Sequence, residues 1–133
     1  MKIMETKLPK ISEKEKEIMS IFWHTGKSMT SSAIAESGNG LSINTVQAAM
    51  RNLLKKGYIK VDDIVYSGTV LTRSYIPIIS AEQYAAYQLQ TMRANTLNFS
   101  TLNFIDHIVK NDDTTILDEL EDIIKRKKEL EDD

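Results

Sequence analysis

Residues 41–57, LSINTVQAAMRNLLKKG, constrain the fold of this chain more than any other stretch. They carry a helix start, a helix stop and two unlike faces. Ser42 or Asn44 can cap the front by accepting from a free backbone N–H. Gly57, after Lys55 and Lys56, suits the end, where the chain must turn left-handed. Val46, Ala49, Met50, Leu53 and Leu54 recur at i, i+3, i+4, i+7 and i+8, so one stripe faces a core. The opposite side holds Asn44, Ala48, Arg51 and Lys55, flanked by Thr45, Gln47 and Asn52. All of these are small, polar or basic, and none is acidic. Such a face fits a DNA groove, and it fits ordinary solvated surface as well.

The chain is long enough, at 133 residues, for one or two small domains with a real core. No run approaches the ~20 apolar residues that span a bilayer. The lysines of residues 1–10 are not followed by the apolar stretch of a signal peptide. Cysteine is absent. That excludes disulfides, thiolate metal sites and a cysteine nucleophile, and it fits a cytoplasmic protein. The net charge of -2 hides an asymmetry. Residues 1–78 hold 11 Lys/Arg against 7 Asp/Glu, a net of +4, while residues 79–133 hold 6 against 12, a net of -6. A basic first part and an acidic second part suggest two modules with different partners.

The elements around the central helix follow from local signals. Residues 1–10 read as a loose arm, with Pro9 barring helix just before Ile11. Ser12 and Glu15 form a capping-box pattern that opens a helix running to about Thr25, with Gly26 as its stop. Ile18, Met19, Ile21, Phe22 and Trp23 give that helix a wide apolar face, with Trp23 as a core anchor. Thr30 caps a short second helix through about Ser37, and Gly38-Asn39-Gly40 breaks it. Helix, short helix, tight turn and longer helix is the layout of a helix-turn-helix, in which the second element of the pair reads DNA. Two β-branched, aromatic-rich runs follow, ending at Pro77. They predict a hairpin wing whose tip is either Asp62-Asp63 or Ser67-Gly68-Thr69. Lys60 and Arg73 are the basic residues this wing offers, to phosphate or to solvent.

After Pro77 the pattern becomes helical. Ser80 and Gln83 mark the cap of a helix to about Asn95. Leu97, Phe99, Leu102, Phe104, Ile105, Ile108 and Val109 predict a second helical segment to about Lys110. Asn111-Asp112-Asp113 is a break, and a last helix runs from Thr114 to about Leu130. Ile116, Leu117, Leu120, Ile123 and Ile124 share one of its faces, and Glu121–Lys125 and Asp122–Arg126 are candidate i,i+4 ion pairs. Its late basic run reads first as helix-end chemistry. Three helices with apolar stripes are too small a domain alone and suit burial against a second copy.

Catalytic signals are missing. His24 and His107 sit in or beside apolar helical stretches and read as ordinary satisfied or partly exposed side chains. No Ser/His/Asp set, phosphate loop or metal-ligand cluster can be argued, so the reading is of a non-enzyme with no cofactor, no metal and no small-molecule ligand.

The order and spacing of these features resemble the penicillinase-repressor family of bacterial regulators. The first helix matches in Ile11-Ser12, Glu15, Met19 and Trp23. The central helix matches in Ser42, Thr45-Val46, Arg51-Asn52-Leu53 and Lys56-Gly57, and the second strand matches in Tyr75 and Pro77. The resemblance implies an N-terminal winged helix-turn-helix, a helical dimerisation domain and repression at a palindromic operator. It also implies inactivation by proteolysis at an Asn-Phe bond in the dimerisation domain, by a membrane sensor protease. Asn103-Phe104 stands at the matching place, and Asn98-Phe99 lies five residues earlier. Relatives commonly carry a basic residue where this chain has Asn44. The copper-responsive branch uses cysteine pairs that this chain lacks.

The expectation is therefore a mainly α fold with a small β-hairpin. Residues 1–78 would form a winged-helix DNA-binding domain and residues 79–133 a helical dimerisation domain. The partners would be a double-stranded operator and a second copy of the chain. Gln47 would pair with an adenine edge, Ala48 would touch a thymine methyl, and Arg51 would reach guanine or phosphate. Asn44, Thr45, Lys55 and Arg73 would position the backbone. The alternative is a winged-helix protein-interaction module that binds no DNA.

Overall fold

The computed structural model describes residues 8–38, 40–95, 98–110 and 115–131. Expectations that fall on residues 1–7, Asn39, Leu97, residues 111–114 and the side chain of Ile116 lie outside them. The described residues form six helices and a three-stranded antiparallel sheet. In chain order these are α1 (Glu13–Thr25), β1 (Met29–Thr30), α2 (Ser31–Ser37), α3 (Ile43–Lys56), β2 (Ile59–Ser67), β3 (Val70–Pro77), α4 (Ala81–Asn95), α5 (Thr101–Lys110) and α6 (Thr115–Glu131). This is the mainly α winged-helix fold with a hairpin that the sequence predicts. The chain falls into two compact units, residues 1–89 and 90–133.

In the first unit every helix start is capped by the hydroxyl the sequence offers. Ser12 Oγ accepts from the Glu15 N–H at 3.2 Å, and Glu15 Oε1 accepts from the Ser12 N–H at 3.0 Å, closing the capping box. Thr30 Oγ1 accepts from the Ala33 N–H, and Ser42, rather than Asn44, caps α3 by accepting from the Thr45 N–H at 3.1 Å. Ser80 and Gln83 close a second capping box at α4. α3 ends at Gly57 in the left-handed region, φ 80°. There the Tyr58 N–H reaches the Leu53 carbonyl and the Gly57 N–H reaches the Leu54 carbonyl, a pair of bonds that satisfies the last turn.

The core lies where the apolar stripes meet. Ile18, Met19 and Phe22 of α1, Ile34 of α2 and Val46, Met50 and Leu53 of α3 are buried together with Tyr58 and Ile59. Leu54 packs against this cluster from its edge. Trp23 donates its indole N–H to the Ile79 carbonyl at 2.9 Å and stacks obliquely on Tyr84, with ring centroids 5.6 Å apart. Tyr58, 1% exposed, meets Tyr84 edge-on and donates to the Pro9 carbonyl at 2.6 Å.

The sheet order is β1-β3-β2. β1 is a two-residue strand with no signal in the sequence; Met29 pairs with Tyr75 and Thr30 with Ser74. The wing turns at Gly68-Thr69, since Ser67 pairs with Val70. Gly68 has φ 67°, and among the described residues no non-glycine residue, Thr69 included, has positive φ, which is the pattern of a type II′ two-residue turn. Asp62-Asp63, the other candidate tip, sits at a bulge instead: Val61 faces Tyr75 and Asp63 faces Ser74, leaving one extra residue in β2.

The second unit contains the end of α4, with α5 and α6. No described side chain in residues 90–131 is buried. α5 begins at Thr101, later than the apolar run suggests, because Ser100 caps it by accepting from the Asn103 N–H. Phe99, which precedes that cap, rests against Phe104 with ring centroids 5.9 Å apart. On α6 the expected Glu121–Lys125 and Asp122–Arg126 ion pairs do not form. Lys127 pairs with Glu131, and Arg126 Nε donates to the Asp122 carbonyl.

Candidate nucleic-acid interface

The outer face of α3 stands open. Asn44, Gln47, Ala48, Arg51 and Lys55 are all exposed, while Val46, Ala49, Met50 and Leu53 on the other side are buried. Thr45 is half-buried, and its hydroxyl accepts from Ser42 Oγ at 2.9 Å, so it supports the cap.

Beside this face lies a concavity of about 440 Å³, built by three elements. Gln47 and Arg51 of α3, Thr72 and Arg73 of β3, and Ser31 and Ser32 of α2 line it, over a floor of Met50, Leu54 and Tyr75. β3 reaches this place through its pairing with β1, which the sequence does not announce. No carboxylate lines the cleft. Gln47, Arg51 and Arg73, three residues expected at the interface, are thus brought together. Asn44, Thr45, Ala48 and Lys55 are not part of this cleft, and Ser31 and Ser32 are contributors that sequence reasoning missed. Their only sequence signal is position, immediately after the Thr30 cap.

The basic residues at the end of α3 divide their roles. Lys55 is exposed. Lys56 turns inward, donating to Glu15 Oε1 at 2.7 Å and to the Lys10 carbonyl at 2.8 Å. Asn52, read from the sequence as flanking the outer face, donates to Glu15 Oε2 at 3.1 Å. Burial by itself would push the Glu15 carboxyl up. The hydrogen bonds from Lys56, Ser12 and Asn52, with the Lys56 charge, outweigh it and hold the group below its ordinary value. Glu15 thereby ties the last turns of α3 to α1.

The distal hairpin has a different character. Ile64, Tyr66, Val70 and Leu71 are exposed, and residues 61–72 contain Asp62 and Asp63 but no Lys or Arg. Arg73 sits toward the base of the wing, opposite Ile64, and Lys60 pairs across to Ile76.

In the second unit Asn103 and Phe104 occupy the first turn of α5. The Asn103 N–H is bonded to Ser100 Oγ and the Phe104 N–H to the Ser100 carbonyl. Asn98 and Phe99 precede the helix. Among the described residues no group of three His, Asp or Glu side chains gathers as a metal site would require, and no helix is long and apolar enough to cross a membrane.

The sequence pattern that produces this arrangement also decides its kinship. A model of the penicillinase repressor family matches residues 11–128, which includes all of α1 to α5 and most of α6. The chain belongs to the penicillinase repressor family. It is therefore a winged-helix transcriptional repressor rather than an enzyme. Among solved structures it is similar to the adhesin competence repressor AdcR of Streptococcus pyogenes, at 12% identity and a TM-score of 0.42, over 90% of this chain and 80% of that one. It is also similar to a single-substitution mutant of Lactococcus lactis ZitR, at 12% identity and a TM-score of 0.45, over 97% and 80% of the two chains. No curated protein sequence matches it.

Proposed function

We propose that this penicillinase-repressor family member is a dimer that binds a palindromic DNA operator through α3 and the base of the wing. The observation that carries the reading is the cleft. Gln47, Arg51 and Arg73 converge on one acid-free surface next to an exposed helix face that also holds no acid. In this reading Gln47 and Ala48 meet base edges, Arg51 meets guanine or phosphate, and Asn44, Thr45, Lys55 and Arg73 set the register on the backbone. The second unit supports a dimer, because it exposes Leu102, Ile105, Ile108, Ile123 and Ile124 with no buried side chain among its described residues. Two half-sites then follow from two-fold symmetry. A gel shift with DNA from upstream of its own gene tests the reading. Gln47→Ala and Arg51→Ala should weaken the shift, and unchanged binding in both would remove α3 as the reading helix.

Inactivation by cleavage at Asn103–Phe104, by a membrane sensor protease, belongs to the same proposal. Its support is the family membership and the dipeptide, which lies in the unit proposed to dimerise. Proteases grip extended backbone, so the first turn of α5 must open before that bond is cut. Incubation with the sensor protease followed by intact-mass measurement tests it. Fragments ending at Asn103 are expected, and fragments ending at Asn98 would move the site to the segment before α5.

A second reading is a protein-interaction module that binds no DNA. It is favoured by the apolar hairpin, where Tyr66 is 72% and Val70 64% exposed. Salt separates the two: a DNA binder loses affinity steeply between low and moderate salt, and an apolar contact does not.

A further inference from the structure

We propose that the hollow between the ends of α1 and α2 is a binding site for a short aliphatic diamine, held by its two ammonium groups. This second concavity has a volume of about 520 Å³ and shares no residue with α3 or the hairpin. A ligand there leaves the proposed DNA-reading face uncovered.

The site is built from acceptors. Three hydroxyls line it, and each already directs its proton into its own helix. Ser20 Oγ donates to the Lys16 carbonyl at 3.0 Å, Thr25 Oγ1 to the Ile21 carbonyl at 2.8 Å and Ser37 Oγ to the Ala33 carbonyl at 2.9 Å. What these oxygens still offer is lone pairs. Glu17 adds a half-buried carboxylate that forms no hydrogen bond or ion pair among the described residues. Lys14 and Lys16 share a neighbouring hollow with it, and neither pairs with it. No lysine or arginine lines the site itself. The last turn of α1 and the end of α2, at Ser37 and Gly38, bring the negative ends of two helix dipoles to the same place. A ligand must therefore supply both the donors and the positive charge. A primary ammonium supplies both, with three N–H groups.

Spacing and size select the class of cation. Glu17 and His24 are seven residues apart on α1, about 10 Å along its axis, too far for one metal ion to bridge. The volume falls within the range of roughly 300–1,000 Å³ typical of small-molecule pockets. Along α1 the lining changes in kind: Glu17 and Ser20 are polar, Ile21 is apolar and half-buried, and His24 and Thr25 are polar again. A chain with a charged group at each end and methylenes between them matches that order. One ammonium meets Glu17 and the Ser20 hydroxyl. The other meets the helix ends, with the hydroxyls of Thr25 and Ser37 and, when unprotonated, a ring nitrogen of His24.

The test uses the full-length protein without DNA and the four-carbon diamine putrescine as probe. Trp23, the only tryptophan, adjoins His24 in the chain and reports binding by its emission, and amide NMR spectra report where the probe sits. Saturable shifts are expected at Ile21, His24, Ser37 and Gly38. Glu17→Gln removes the charge, keeps the side chain's shape and breaks no pairing, so the fold should hold while affinity falls about tenfold. Ser20→Lys places a tethered ammonium in the site and should abolish binding. Butylamine, with one charged end, should bind about tenfold more weakly than putrescine, and neutral butanol should not bind. The absence of saturable shifts, or affinity unchanged in Glu17→Gln, would overturn the site. So would shifts confined to the acidic residues of α5 and α6, which would mark loose attraction to the charge of that part. Equal affinity for butylamine would overturn the two-ended ligand.

Discussion

Glu15 is the residue on which the placement of α3 turns. Its carboxylate is almost wholly buried and accepts from the Ser12 N–H, Asn52 and Lys56. Removing one partner of a fully buried pair costs about 3–5 kcal/mol. The Lys56 side chain keeps 29% of its exposure, so Glu15→Ala should cost less, about 2 kcal/mol in urea unfolding. The same group sets an acid limit. Because its folded pKa lies below the ordinary 4.5, its contribution is present in full above that value and is lost as pH falls through the lower, folded value. Wild type should therefore lose stability in acid more steeply than Glu15→Gln, as followed by circular dichroism across that range. Tyr58 sets the opposite limit. Burial, with Tyr84, Tyr87 and Glu15 nearby, pushes its hydroxyl up to about 12. Its contribution is full below the ordinary value of 10 and is lost as pH rises through about 12, so alkaline unfolding followed by circular dichroism should set in there in wild type and lose that dependence in Tyr58→Phe. The capping role of Glu15 is legible in the sequence because Ser12 is three residues away. Its hold on Asn52 and Lys56 is not, since those partners lie 37 and 41 residues along the chain and only packing of α1 on α3 unites them.

At the scale of elements, the ends of helices carry testable consequences. Gly57 holds φ 80° at the end of α3, a conformation that costs a side-chain-bearing residue about 1–2 kcal/mol. Gly57→Ala should lower stability by that amount in urea unfolding while leaving the exposed face of α3 intact. Ser100 caps α5 in front of Asn103–Phe104, and losing such a cap costs about 1 kcal/mol. If the sensor protease cuts that bond after the first turn opens, Ser100→Ala should speed cleavage about fivefold in a time course followed by mass. A slower or unchanged rate would mean that the turn is not the barrier. The helices of the first unit were readable because hydroxyl caps, glycine stops and an apolar 3.6-residue stripe agree. The wing was readable as a hairpin but not in its tip, since Asp62-Asp63 and Ser67-Gly68 are both turn-like in isolation. Pairing decides between them: Ser67 opposite Val70 makes the turn, and the extra residue in β2 becomes a bulge. β1 left no signal, because two residues cannot display a period of two.

For the whole molecule the central questions are the dimer and its DNA. The acidic second unit exposes Ile105, Ile108, Ile123 and Ile124, and these are the surfaces expected to meet a second copy. Ile105→Asp with Ile124→Asp should convert a sedimenting dimer to monomer. Operator affinity should then fall by about 10²–10⁴, since the second half-site no longer binds intramolecularly. The sequence showed the charge division and the apolar stripes behind this expectation. It did not show the cleft, because Ser31, Arg51 and Arg73 are far apart in the chain and meet only after the hairpin folds back to β1. The most direct measurement is hydroxyl-radical footprinting of the full-length protein on DNA upstream of its own gene. Two protected patches are expected, with centres about 34 Å apart, one helical turn, or a multiple of it, and both should weaken in Gln47→Ala. A single patch, no protection, or protection unchanged by that substitution would contradict the DNA-binding reading.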